Sequence, residues 1–209
     1  MNRTEKFVIT VNREVGSGGR TVGRKLAEKL DVKYYDKALI DGLTKEFGLT
    51  VEEIERIKAQ KKTWWNEFNT YYKNRLATTQ PMEAETVLTT ESMMATEKHI
   101  LHNLAAHESC VVAGRSGFFV FNEWPNHLHI FIQASLEHRI ARLMRKQSIS
   151  RDEALHIIET VDKGRETYIQ KYTDTSRYDT RNYDLVLNMD QLTEDAAVDV
   201  IMAYIEHSH

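Results

Sequence analysis

The sequence predicts an α/β fold: a mostly parallel, five-stranded sheet with helices on both faces. Two observations predict it. Short β-branched and apolar runs alternate along the chain with segments whose apolar residues recur at helical spacing. The chemically interesting features also fall where strands end and helices begin: Gly16 to Gly19, Asp36, Gly114 to Gly117, and the helix start after Ala134. In an open parallel sheet that edge is where ligands bind.

Taken in order, Phe7-Val8-Ile9-Thr10-Val11 reads as a buried first strand. Gly16, Gly18 and Gly19 follow, with Ser17 among them, and then Val22, Leu26, Ala27 and Leu30 at helical spacing. That is strand, glycine loop, helix. Val32 to Tyr35 is a short second strand with Asp36 just past it. Residues 37–47 and 51–61 read as two short helices broken at Gly48, and 61–90 as a mostly helical, aromatic-rich insert over the core. Thr90 to His107 is a long helix. Ser109 to Ala113, Leu128 to Ile132 and Leu185 to Leu187 are the remaining strands. Leu136 to Lys146, Arg151 to Tyr172 and Glu194 to Ile205 are the later helices.

With 209 residues the chain suffices for one domain with a substantial core. Its net charge of -3 argues against a generally basic nucleic-acid surface. The one cysteine, Cys110, excludes a disulfide framework within the chain and sits in a strand, where packing suits it better than nucleophilic work. Met1 to Lys6 is polar with no apolar signal core behind it, and no apolar run is long enough to span a bilayer. A cytoplasmic protein with no membrane partner is the expectation.

The loop carries the chemistry. A glycine-rich turn opening a helix exposes backbone N–H groups, and the helix adds about half a positive charge there. Polyphosphate fits such a site. Yet Arg13-Glu14-Val15-Gly16-Ser17-Gly18-Gly19-Arg20-Thr21 departs from the G-x-x-x-x-G-K-[ST] pattern. Gly19 stands where the lysine belongs, and Arg13 where the first glycine belongs. Arg20, Arg24 or Arg13 could supply the missing charge, although an arginine fork is no simple replacement for an ammonium. Thr21 is the candidate hydroxyl for magnesium; alternatively it only opens a helix.

Other features have plainer readings. His127 and His129 share one side of a strand but lack further metal ligands, so a surface pair is expected. Trp64, Trp65, Phe68, Tyr71 and Tyr72 suit packing against the core or a second subunit, hence a possible homodimer through the insert.

Gly16 to Ala27 followed by Tyr34-Tyr35-Asp36-Lys37 resembles the cytidylate-kinase-like family of nucleotide kinases, whose loop is of this glycine-glycine-arginine type. Val111 to Arg115, Ile130 to Ser135, Asp162-Lys163-Gly164-Arg165 and Tyr183 to Asn188 continue the resemblance in order over nearly the whole chain. It implies a three-layer P-loop NTPase-type domain over residues 1–209. It also implies a helical NMP-binding insert at about 37–90 and a lid at about 146–177. ATP and Mg²⁺ are implied as cofactors. Gly16, Ser17, Gly18, Gly19, Arg20 and Thr21 would bind the donor, with Thr21 toward the metal. Asp36, Arg115 and Lys163 would bind the acceptor. Arg20, Arg142, Arg145 and Arg165 would screen charge during transfer. An acid follows the acceptor arginine in those kinases; Ser116 stands there in this chain, a departure that bears on pyrimidine recognition.

The implied activity is transfer of the γ-phosphoryl group of ATP to a CMP-like nucleoside monophosphate or a related small acceptor. The missing lysine and Ser116 point instead to a non-catalytic nucleotide-binding or regulatory protein with the same fold. An interaction protein built on the aromatic insert would leave the glycine loop idle.

Overall fold

The strand order of the sheet explains why so much of the loop chemistry gathers at one edge. In a computed structural model of the protein, residues 1–36, 90–114 and 116–208 are described. The helices expected at 37–47 and 51–61, the insert at 61–90 with its aromatic residues, and Arg115 lie outside them.

Strand β1 (Val8–Arg13) leads through the glycine loop into helix α1 (Gly19–Leu30), and β2 (Lys33–Asp36) follows. Helix α2 (Thr90–His107) precedes β3 (Cys110–Ala113), a one-turn helix α3 (Gly117–Val120) and β4 (His127–Gln133). Helices α4 (Leu136–Gln147) and α5 (Arg151–Thr173) come next, then β5 (Leu185–Asn188) and α6 (Glu194–His207). The sheet order is β2-β3-β1-β4-β5, and the pairings of β1 with β3, β1 with β4 and β4 with β5 are parallel. Alternating strands and helices anticipate this arrangement, because parallel neighbours need crossovers. Asp36, expected just past the second strand, is its last residue and is buried.

The chain forms two compact units, Met1–Tyr35 with Leu104–His209, and Asp36–Asn103. In the first, Ile9 and Val11 of β1 join Val22 and Leu26 of α1, Ile130 and Ile132 of β4, and Val198, Ile201 and Ile205 of α6 in one apolar core. In the second, Ile100 and Leu101 of α2 are buried. Cys110 is fully buried in β3, and burial pushes its thiol up to about 12, so it packs and does not react. Among the described residues no helix is long and apolar enough to cross a membrane.

The histidine pair corrects the surface expectation. The two rings do stack, with centroids 4.3 Å apart. But β4 lies between β1 and β5, so His129 is buried, its Nδ1 2.8 Å from Thr10 Oγ1. Among the described residues no cluster of His, Cys, Asp or Glu is arranged to hold a metal.

Burial, with the neighbouring His127 ring adding to it and Asp184 opposing, lowers the His129 imidazole from 6.5 to about 4. The unfolded chain therefore takes up a proton that the folded chain refuses, and stability drains away as pH falls from 6.5 toward 4. In His129→Gln that part of the slope should vanish from urea unfolding curves. An unchanged slope would mean that other groups cause the acid sensitivity.

Candidate functional site

The loop between β1 and α1 is shaped for an anion. Gly16 and Gly18 take φ of 82° and 92°, values that a residue with Cβ adopts only with strain. A Cβ on Gly16 would also lie 2.7 Å from the Arg139 carbonyl oxygen. The Ser17 hydroxyl, buried, donates to the Glu14 carbonyl at 2.9 Å and so folds the loop on itself. Helix α1 starts with no side-chain cap and no acid in its first turn. The other long helices with described starts differ. Ser135 caps α4, Ser150 and Glu153 form a capping box on α5, and Thr193 caps α6. The start of α1 thus keeps its partial positive charge uncompensated by its own side chains.

A network of arginines and carboxylates grips the loop. Asp162 of α5, buried, accepts from the Val15 N–H at 3.1 Å and from the Arg139 guanidinium. Arg139, buried in turn, donates from Nε to the Val15 carbonyl at 2.8 Å and from Nη1 to Glu14 at 3.1 Å. The second Glu14 oxygen accepts from the Ala134 N–H at 3.1 Å. Arg165 donates to the Arg13 carbonyl at 3.1 Å and to Asp162 at 3.3 Å. Arg177, 3% exposed, donates to the same carbonyl and to the same carboxylate. Its guanidinium lies over Phe131 and Tyr178, 5.8 and 5.2 Å from the ring centres.

The guanidinium groups of Arg139, Arg165 and Arg177 share the Asp162 carboxylate, Arg139 also meets Glu14, and the Arg177 backbone N–H donates to Glu166. Burial first, and the like charges of Arg13 and Arg177 second, push Arg165 down to about 10. It stays protonated at neutral pH, and a bound anion would relieve the crowding.

The residues singled out from sequence fall into distinct groups. Gly16, Ser17, Gly18 and Gly19 form the loop itself, and Arg165 reaches its root. Arg142 approaches from α4: its Nη2 donates to Thr21 Oγ1 at 3.2 Å and to Glu194 at 2.8 Å. That carboxylate is held below its usual range by Arg142. With a guanidinium on its oxygen, Thr21 does not fit a resident cation while that bond stands. Arg20 is exposed on the first turn of α1, Arg145 is exposed at the end of α4, and Lys163 is exposed on α5. Asp36 belongs to the second unit.

Sequence reasoning missed Arg139 and Arg177 as loop partners, together with the hub role of Asp162. For Arg139 a signal existed. It stands one turn before Leu143 and beside Ile140, which form the buried face of α4 with it, whereas Arg145 lies off that face. Arg177 follows α5 in an irregular segment, where no periodicity marks burial.

The sequence model of the cytidylate kinase-like family matches residues 8–191. A cytidylate kinase of Methanosarcina barkeri is 26% identical over 95% of this chain and 96% of its own length. One from Pyrococcus horikoshii is 25% identical over 97% and 90%. Among solved structures, an uncharacterized protein from Eubacterium ventriosum superposes with a TM-score of 0.72, at 22% identity, covering 97% of this chain and 99% of that one. Shikimate kinase from Bacteroides thetaiotaomicron gives 0.50 at 16% identity, covering 96% and 98%. These likenesses concern the fold, which is that of the P-loop kinases.

The network has a measurable consequence. Asp162→Asn leaves the buried Arg139 and Arg177 without their shared charge, and should lower the unfolding free energy by about 3–5 kcal/mol. A loss below about 1 kcal/mol in denaturant unfolding, the range of exposed pairs, would show that Asp162 does not hold the loop.

Proposed function

The chain belongs to the cytidylate kinase-like family, and from that membership we propose that it moves the γ-phosphoryl group of ATP to a nucleoside monophosphate of the CMP type or a related small phosphate acceptor. The observation that carries the reading is the loop: an uncapped helix start, glycines at positive φ, and an Arg165 guanidinium lowered by burial and by the nearby charges of Arg13 and Arg177.

On this reading the loop amides from Gly16 to Gly19 and the Arg20 guanidinium hold the donor phosphates. Magnesium enters with the nucleotide as part of the substrate. An acceptor phosphate oxygen, held near Asp36, Arg115 and Lys163, attacks the γ-phosphorus in line. The bond to the β-phosphate oxygen breaks, and ADP leaves. Arg142, Arg145 and Arg165 screen the charge spread over the transferring oxygens. Arg142 must first exchange the Thr21 hydroxyl and Glu194 for phosphate, a swap of one anionic partner for another. Positioning and electrostatics supply the rate.

The alternative of a nucleotide-binding or regulatory protein without turnover rests on the missing lysine and Ser116, and the engagement of Thr21 by Arg142 adds to it. A single assay separates the two. Magnesium-dependent transfer from ATP to CMP, UMP and dCMP is expected for the wild-type chain, with loss of at least about 100-fold in Arg20→Ala and in Arg115→Ala. ATP binding without transfer to any acceptor in the panel would favour the alternative. Absence of ATP binding would refute the phosphate-loop reading itself.

A further inference from the structure

We propose that Arg13, together with the Arg20 of that reading, supplies phosphate-facing charge to this loop, in the place of the lysine that Gly19 displaces. The inference rests on the phosphate-donor reading above and names a further residue that makes the modified loop work.

The two departures from the phosphate-loop pattern are one change. Arg13 stands where the pattern has its first glycine, and Gly19 where it has its lysine. In the structure these positions compete for a single space. A Cβ added to Gly19 would lie 2.6 Å from Arg13 Cβ, 3.1 Å from its Cγ and 3.2 Å from Ile132 Cβ. The stem of Arg13 therefore fills the volume in which a lysine at position 19 would begin. Arg13 and Ile132 are register partners of β1 and β4, so both side chains meet the first turn of α1 together.

The stem points the head in a useful direction. The Arg13 guanidinium reaches Gly114, where any side chain would strike its Nη1. Gly114 N–H donates to the Val11 carbonyl at 3.1 Å, which places it at the carboxyl ends of β1 and β3. The side chain thus runs from the first turn of α1 to the strand end at Gly114. Its root is fixed, because Arg165 and Arg177 both hold the Arg13 carbonyl. Its head is close enough to depress the Arg165 guanidinium. A planar fork held there can meet two phosphate oxygens at once, which an ammonium cannot. By contrast, Arg24 is exposed and lies over the Tyr34 ring at 6.0 Å.

Titration of the full-length chain with magnesium ATP and with AMP tests this, using wild type, Arg13→Ala, Arg13→Lys, Gly19→Lys and the exchange variant Arg13→Gly with Gly19→Lys. Thermal melts report folding. Arg13→Ala should weaken ATP binding roughly 10- to 100-fold, the range for losing a charge-assisted hydrogen bond, with little change for AMP. Gly19→Lys alone should bind poorly or melt early, because its stem meets that of Arg13. The exchange variant should recover ATP binding relative to Arg13→Ala. ATP affinity in a folded Arg13→Ala equal to wild type would overturn the proposal while leaving the kinase reading intact. Should Arg13→Ala fail to fold, a folded exchange variant or Arg13→Lys that binds no ATP overturns it. A wild-type chain that binds no ATP removes the donor reading, and this inference with it.

Discussion

The buried carboxylate of Asp162 ties together segments that are far apart in sequence: the loop at Val15, helix α4 through Arg139, its own helix through Arg165, and the approach to β5 through Arg177. A lone buried carboxylate costs several kcal/mol to desolvate, and a lone buried guanidinium costs as much. Each is tolerable only because the other is present with hydrogen bonds filled on both sides. The loop conformation follows from that constraint. Val15 and Glu14 are fixed, Gly16 must then pass against the Arg139 backbone, and α1 begins where the strand directs it.

In an ordinary phosphate loop the lysine projects from the helix start. Here the helix start is made of glycine and the cation comes from the strand end, over ground cleared by Gly19 and Gly114. The arrangement attaches a positive charge to the central strand of the sheet. Rigid placement of charge is what phosphoryl transfer requires of a protein, since the protein contributes little covalent chemistry.

Much of this was legible in the sequence, and the rest was hidden for identifiable reasons. The run from Phe7 to Val11, the glycine loop and the helical spacing of Val22, Leu26 and Leu30 fix β1, the loop and α1, because local periodicity and turn chemistry agree there. Strand ends were read one or two residues short: β1 continues to Arg13, and β4 begins at His127. The spacing of Arg139 with Ile140 and Leu143 puts it on the buried face of α4, but its partner Asp162 lies 23 residues away, beyond the reach of local periodicity. Arg177 and the burial of His129 depend likewise on neighbours supplied by tertiary packing. The aromatic run from Trp64 to Tyr72 and Arg115 lie outside the described residues.

A crystal structure of the chain with a non-hydrolysable ATP analogue and magnesium tests the central claim most directly, namely that an arginine-braced loop without its lysine is a triphosphate site. The expected result is a triphosphate seated against the amides of Gly16 to Gly19, with the Arg13 and Arg165 guanidinium groups within hydrogen-bonding distance of its terminal oxygens. A nucleotide bound elsewhere, with the loop unchanged and free of phosphate at saturating analogue, would contradict it.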